Sequence, residues 1–429
     1  MKQNKHDDVF SEWTLRGRPV RNRTVLAAIT NKQSHDDGRL SETEQRWLSM
    51  RAEGGFGIVT TCAANVLPSG RAWDGEAGVY ADRHIEPMRK LTDNLRSHGA
   101  VSLCQIFHGG YRCPQRLIGQ QPVSASDVAL DVPGFEPARA MSAGEVGECI
   151  EAFAAAASRC EQAGFDGVEI HGAHTFLITQ FLSREINART DEYGGSLAGR
   201  YRFLGEIIRA CRARTGPEFV VGVRLSPGIP LPHAGISLEE TVQILPWVAN
   251  DGVDFVHLSL KEAWSEATQR EGAGGARGGS AANRDSPGES NESPGKRGES
   301  GANRDSPGES NESLRERRRP DAGGETSPEK PSGSVAIGRA REALGSRVAI
   351  IACGGVFELE QARTVLRHGA DAVAVARAGI GNYRWPTKLA EGEAVVRPPY
   401  EETHLVEQGL SAPFLEYMRG WPGFVKGGA

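Results

Sequence analysis

The chemistry of this chain concentrates first in the run Glu169-Ile170-His171-Gly172-Ala173-His174, where two imidazoles stand three residues apart at the end of a short apolar stretch. At a strand end such a pair can face one side of a cleft. Two ring N–H groups aimed at one oxygen stabilise negative charge gathering there, which would polarise a carbonyl or nitro group. The other readings of the same residues are packed core histidines or a metal site, since imidazole is a common ligand. Cys62, Cys104, Cys113, Cys149, Cys160, Cys211 and Cys353 are scattered without a C-x-x-C pair, so free thiols in a reducing compartment are expected and no metal.

Short apolar runs alternate with helix-period segments along most of the chain, the pattern of a parallel sheet covered by helices. The runs are residues 25–29, 57–63, 101–107, 167–171, 220–225, 255–259, 348–353 and 372–376. Eight of them predict an α/β fold, a (β/α)8 TIM barrel, whose reactive groups gather where the strands end. Helices are expected at 43–53, 85–98, 143–164, 199–215, 238–250, 335–344 and 358–368, several closing on the glycine that follows a helix C-terminus. Residues 109–141, rich in Pro and Gly, fall after the third strand as a long loop on the catalytic face, placed to act as a lid.

Glycine is in excess, 53 of 429 residues or about 12% against an average near 7%. Much of it lies in residues 265–334, which are almost wholly Gly, Ser, Glu, Arg, Asn, Asp and Pro. Too few apolar side chains are present there to offset the entropy of ordering. Within it the twelve residues 282–293 recur letter for letter at 302–313, without apolar positions to stack. Residues 1–264 and 335–429 are therefore expected to form a single barrel, and 265–334 a long disordered insertion between strands six and seven. A net charge of −5 offers no general attraction to nucleic acid or to an anionic membrane. No apolar stretch approaches the ~20 residues that cross a bilayer, and residues 1–8 carry no signal-peptide core, so a cytoplasmic location is expected.

Gly164-Phe165-Asp166-Gly167-Val168-Glu169-Ile170-His171-Gly172-Ala173-His174, with Gln180-Phe181-Leu182-Ser183 and Arg189-Thr190-Asp191-Glu192-Tyr193-Gly194-Gly195-Ser196, closely resembles the old yellow enzyme family of flavin-dependent oxidoreductases. Asn22-Arg23, Gln105-Ile106-Phe107-His108-Gly109-Gly110, Gly222-Val223-Arg224-Leu225-Ser226-Pro227 and Gly369-Ala370-Asp371 extend the resemblance over nearly the whole chain outside the insertion. It implies a barrel that holds FMN at the C-terminal ends of its strands. NADPH or NADH would be the hydride donor, and a small-molecule electron acceptor, an enone or nitro compound, would be held by His171 and His174. On the same resemblance Gln105 bonds the flavin pyrimidine edge. Arg224 sits beside N1 and O2, where a fixed cation favours the reduced anion; its plainer role is a barrel-interior ion pair. Thr30 falls near the C4 carbonyl, where a turn residue is the alternative, and Ala28, Ile29 and Ala63 line the ring. Gly354, Gly355, Ala376 and Arg377 match the phosphate site, where glycine backbone N–H groups and an Arg fork suit an anion.

Three positions depart from the family pattern. Phe176 replaces the Tyr that usually protonates the substrate carbon, and phenylalanine has no proton to give. Tyr111 stands where an Arg is usual, as a substitute hydroxyl or as an aromatic covering the core. Ala27-Ala28 replaces a small residue followed by Pro. The alternatives are an FMN-binding barrel with poor ene-reductase turnover because of Phe176, or a flavin-independent lyase or isomerase barrel in which Arg377 and the Gly pair hold a substrate phosphate and Lys261 is the one lysine beyond a strand end. Some relatives insert a C-terminal Arg into a neighbouring subunit's site, which makes Arg419 the residue to inspect in a homo-oligomer; a packed terminal segment is its plainer role.

Overall fold

Eight parallel strands close on themselves: β1 (Thr24–Leu26), β2 (Ile58–Thr60), β3 (Val101–Phe107), β4 (Gly167–Gly172), β5 (Val220–Leu225), β6 (Phe255–Ser259), β7 (Ala349–Cys353) and β8 (Ala372–Val375). Each pairs with its neighbours in chain order, and β8 returns to β1 with Val373 opposite Thr24 and Val375 opposite Leu26. The structure, a computed structural model, describes residues 8–129, 135–228, 235–266 and 331–428. All eight expected strands are present. The first two are shorter than their apolar runs, because the chain leaves the ladder after Leu26 and Thr60 and continues over the barrel mouth.

Helices Glu42–Glu53, Ile85–Ser97, Ala143–Gln162, Leu197–Arg214, Leu238–Asn250, Gly333–Leu344 and Leu359–Arg367 cover the strands. Five of them start on a serine, Ser41, Ser142, Ser196, Ser237 and Ser332, whose side chain accepts the N–H three residues on. Each such cap satisfies a donor that the first helical turn leaves open, worth about 1 kcal/mol.

Side chains alternate inward and outward along a strand, and here the inward series changes character with height. The lower barrel is apolar: Val25, Ile58, Val101, Leu103, Val220, Phe255, Ile351, Ala372 and Ala374 form one buried cluster. Gly222 makes room for Phe255, whose ring would lie 2.1 Å from any Cβ at that position. Two residues further up the same strands the series turns polar, with Gln105, Glu169 and His171, Arg224, and His257 and Ser259 all buried. A barrel with an apolar floor and a polar upper tier places all its chemistry at the C-terminal mouth.

Residues 109–141 fold more than the expected bare loop. They contain a turn at Gly110–Arg112, a helix at Gln115–Ile118 and a parallel pairing of Val123–Ser124 with Arg139–Ala140. Tyr111, Val128 and Ala138 pack on Ile186 beneath it, so Tyr111 does take the covering role. Two-residue strands leave no periodicity to read, and residues 130–134 lie outside the described residues. The expectation of disorder for 265–334 falls mainly on residues 267–330, which also lie outside them. The flanks of that stretch meet: Gly333 N–H donates to Ser265 Oγ at 2.8 Å and Ser334 N–H to the Ser265 carbonyl at 2.9 Å. Among the described residues no helix is long and apolar enough to cross a membrane. All seven cysteines are free and buried.

Candidate active site

His171 leaves the top of β4 directly opposite Arg224 of β5. Beyond it the chain turns sharply, with His174 at φ 56° and Thr175 at φ 63°. A β-branched residue in that region costs on the order of 1–3 kcal/mol and persists only when its surroundings hold it. Arg112 does so by donating to the His174 carbonyl at 3.0 Å and to Thr175 Oγ1 at 3.1 Å, and Gln180 Nε2 donates to the Thr175 carbonyl at 2.7 Å. The strained turn sets the two rings 5.0 Å apart and perpendicular.

The imidazoles are not equivalent. His171 Nδ1 accepts the Ala173 N–H at 3.3 Å, so its proton sits on Nε2, free to donate into the cleft. His174 Nε2 is engaged with Ser259 Oγ at 2.9 Å. In this arrangement His171 keeps Nε2 for the cleft, while His174 Nε2 is tied back to β6. Burial, reinforced by Arg224 and Arg112 nearby, pulls both imidazoles well below their usual range and keeps them neutral at pH 7.

The upper tier is densely connected. Arg224 donates to the Ala28 carbonyl at 3.3 Å, to Ser259 Oγ at 3.2 Å and to Cys353 Sγ at 3.5 Å, while its buried Nε has no partner. On the other side Gln105 Nε2 donates to Glu169 Oε1 at 2.6 Å, and His257 Nδ1 lies 2.7 Å from Glu169 Oε2. Burial alone would neutralise this pair, but the carboxylate lifts His257 to about 9 and the imidazolium holds Glu169 below its usual range. Cys353 also resists the upward pull of burial, held near 6 by His257 and Arg224. Arg224 meets no carboxylate within salt-bridge distance among the described residues, but its charge helps hold both Cys353 and Glu169 low, so the barrel-interior ion-pair reading of Arg224 stays open beside the cofactor one.

The residues expected to take a phosphate follow the ends of the paired strands β7 and β8. Gly354 has φ 150° and Gly355 φ 63°, and a Cβ on Gly354 would lie 2.5 Å from the Leu260 carbonyl. Gly354→Ala is therefore expected to cost roughly 2 kcal/mol or more, read as a lower urea midpoint of the flavin-free protein. Ala376 precedes Arg377, which is exposed and forms no salt bridge among the described residues. Ala28 and Ile29 are half-buried at the mouth, whereas Ala63 packs against Phe107 and Phe176. Thr30 meets Tyr417 of the C-terminal helix Ala412–Arg419 through their hydroxyls, and Lys32 Nζ lies 5.1 Å above the Tyr417 ring. Arg419 pairs with Glu402 at 2.7 Å and Glu416 at 2.6 Å in its own chain, matching the packed-segment reading. Lys261 is exposed.

Sequence reasoning gave no role to Glu169, His257, Ser259, Arg112 or Tyr417. Inward alternation on β6 was the available signal for His257 and Ser259. Nothing local announced Tyr417, which reaches Thr30 from the far end of the chain.

A polar barrel mouth with a buried arginine whose Nε is unpartnered, neutral imidazoles and a glycine pair at the end of the strand next to an exposed Arg fits a barrel oxidoreductase. The chain belongs to the NADH:flavin oxidoreductase / NADH oxidase family, whose sequence profile matches residues 8–281. It is an FMN-dependent NAD(P)H oxidoreductase, which replaces the flavin-independent lyase or isomerase alternative. It is 30% identical to the probable NADH-dependent flavin oxidoreductase YqiG of Bacillus subtilis over 427 residues, 97% of this chain and 98% of that one. It is 34% identical to the NADH:acrylate oxidoreductase of Vibrio harveyi over 249 residues, covering 57% of this chain and 25% of that longer one. The fold matches an old yellow enzyme homologue from Zymomonas mobilis with a TM-score of 0.71 at 21% identity, over 96% and 99% of the two chains.

Proposed function

We propose that this oxidoreductase reduces conjugated enones or nitro compounds at the mouth of the barrel, with NADH or NADPH as donor. The carrying observation is the register of His171 against Arg224, which sets a neutral N–H donor and a fixed cation at one rim. The residues fit FMN: Arg224 Nε is buried without a partner among the described residues, and Gly354-Gly355 follows β7 while Arg377 follows its paired neighbour β8. Gln105 and Arg224 would hold its ring, with Ala28, Ile29, Thr30 and Ala63 around it. Gly354, Gly355, Ala376 and Arg377 would take its phosphate. Bound there, FMN supplies hydride chemistry, accepting from the nicotinamide and giving to the acceptor.

The side chains do the rest. His171 Nε2–H donates to the acceptor oxygen as charge develops there, and neutrality lets it do so without competing for the proton. Arg224 would favour extra electron density on a ring held beside it. Phe107, Phe176 and Trp73 form an apolar wall that keeps water from one side. Adding FMN to the flavin-free protein should restore a flavin spectrum that NADPH bleaches without oxygen and an enone restores; a protein that gains no bound flavin would overturn the proposal. A second reading has specific support: the Phe176 ring lies 5.0 Å from His171 where a proton donor is needed, so alkene turnover is slow and nitro acceptors are favoured.

We also read 265–334 as an insertion the barrel does not need, because Gly333 and Ser334 close on Ser265. Joining Glu266 to Pro331 through a short Gly-Ser link should leave the melting temperature within about 3 °C and flavin content unchanged. A loss of soluble flavoprotein would count against it. Seven free thiols support a cytoplasmic setting. Self-association is tested by light scattering of the flavin-loaded protein.

A further inference from the structure

The polar tier contains one arrangement that the proposed catalytic groups do not explain. Glu169 is 1% exposed, yet both its oxygens are filled, Oε1 by Gln105 Nε2 and Oε2 by His257 Nδ1. These three residues come from β3, β4 and β6, so the arrangement spans a sector of the barrel wall rather than one element. An ionised carboxylate accepts hydrogen bonds and cannot donate one. Gln105 must therefore turn its NH2 group to Glu169, and its carbonyl oxygen is left with no partner among the described residues. A side-chain amide alone is ambiguous in orientation; beside an obligate acceptor it is not.

We propose that Glu169 and His257 are positioning residues that fix the orientation of the Gln105 amide, so that Gln105 presents an acceptor to the cofactor and selects a ring bearing an imide N–H. This rests on the reading that Gln105 faces FMN. Glu169 does the orienting, and His257, with a smaller pull from the Arg224 guanidinium, keeps Glu169 ionised in a place where burial would otherwise protonate it. Without the imidazole, a protonated Glu169 would carry a donor of its own. The Gln105 amide could then reverse and oppose its NH2 group to the imide N–H, two donors face to face.

Isosteric removal of the charge by Glu169→Gln and removal of the imidazole by His257→Leu test this in the full-length flavin-free protein, titrated with FMN and with N3-methyl FMN by fluorescence quenching. The wild type should bind FMN about tenfold or more tighter than the N3-methylated analogue, since that analogue has no N–H to give. Both variants should lose most of that preference, whatever they do to overall affinity. In His257→Leu the preference should return as pH rises and Glu169 ionises; in Glu169→Gln, whose residue 169 has no proton to lose, it should not return in that way. Thermal melts establish that each variant is folded. If either variant does not fold, the two ligands on the wild type still decide, since equal affinities would overturn the inference. Folded variants that keep the wild-type preference would also overturn it. A wild type that binds neither flavin would instead overturn the reading of the site.

Discussion

Phe176→Tyr is expected to raise enone turnover by about a hundredfold, the range a well-placed general acid supplies, while the rate of flavin reduction by NADPH stays within about twofold. The ring occupies a defined slot, 5.0 Å from His171 and 4.9 Å from Phe107, with Trp73 at 6.2 Å. It lies at the site where acceptor and imidazole would meet. The Arg112 guanidinium lies 5.1 Å from the ring centroid, and a cation there would favour the phenolate and so make the new hydroxyl a stronger acid. Separating the half-reactions by stopped flow makes the outcome decisive. Acceleration of only the acceptor step identifies proton supply as the limit. An unchanged acceptor step would show that water or the neighbouring Tyr111 hydroxyl, which meets Thr175, already delivers the proton.

The barrel was legible because each strand is a buried apolar run of the right length followed by a helical segment, and both signals depend on nearest neighbours in the chain. The imidazole pair was legible for the same reason, three residues apart at one strand end. What escaped were relations across the barrel. Glu169 and His257 are 88 residues apart and meet only because β4 and β6 project inward at the same height. The unequal use of the two imidazoles also escaped, since it depends on Ser259 capturing one of them. The order within 109–141 was missed because its strands are two residues long and its apolar contacts are with Ile186, far along the chain.

The polar tier also explains why the mouth carries so much positive charge without collapsing. Arg224 and His257 are both buried, and among the described residues Glu169 and the Cys353 sulfur, held near 6, help balance them. Charge of this kind is favoured where an anionic ring must be held, and it costs stability in the flavin-free protein. Cofactor binding and folding are therefore coupled, and added FMN should raise the melting temperature in proportion to its affinity.

His171→Ala should lower kcat/KM for enone reduction by about 10²–10³, as loss of one well-placed oxyanion donor does, and His174→Ala should cost less. The ordering follows from the hydrogen bonds. His171 is 3% exposed, its Nδ1 is occupied by the Ala173 N–H, and its Nε2–H points at the cleft without needing to rearrange. His174 must first give up Ser259 before that nitrogen can serve a ligand, so part of its interaction energy is already used in the resting protein. Ser259→Ala tests this from the other side. Freeing His174 should lower the KM for acceptor, while any change in the NADPH step reads the loss of the Ser259 bond to Arg224. Because burial and the nearby arginines keep both imidazoles neutral, acceptor binding should be flat around neutral pH, and any change as His171 gains a proton would appear only at lower pH. A larger loss from His174 than from His171 would show that the free donor in the working enzyme is the other ring.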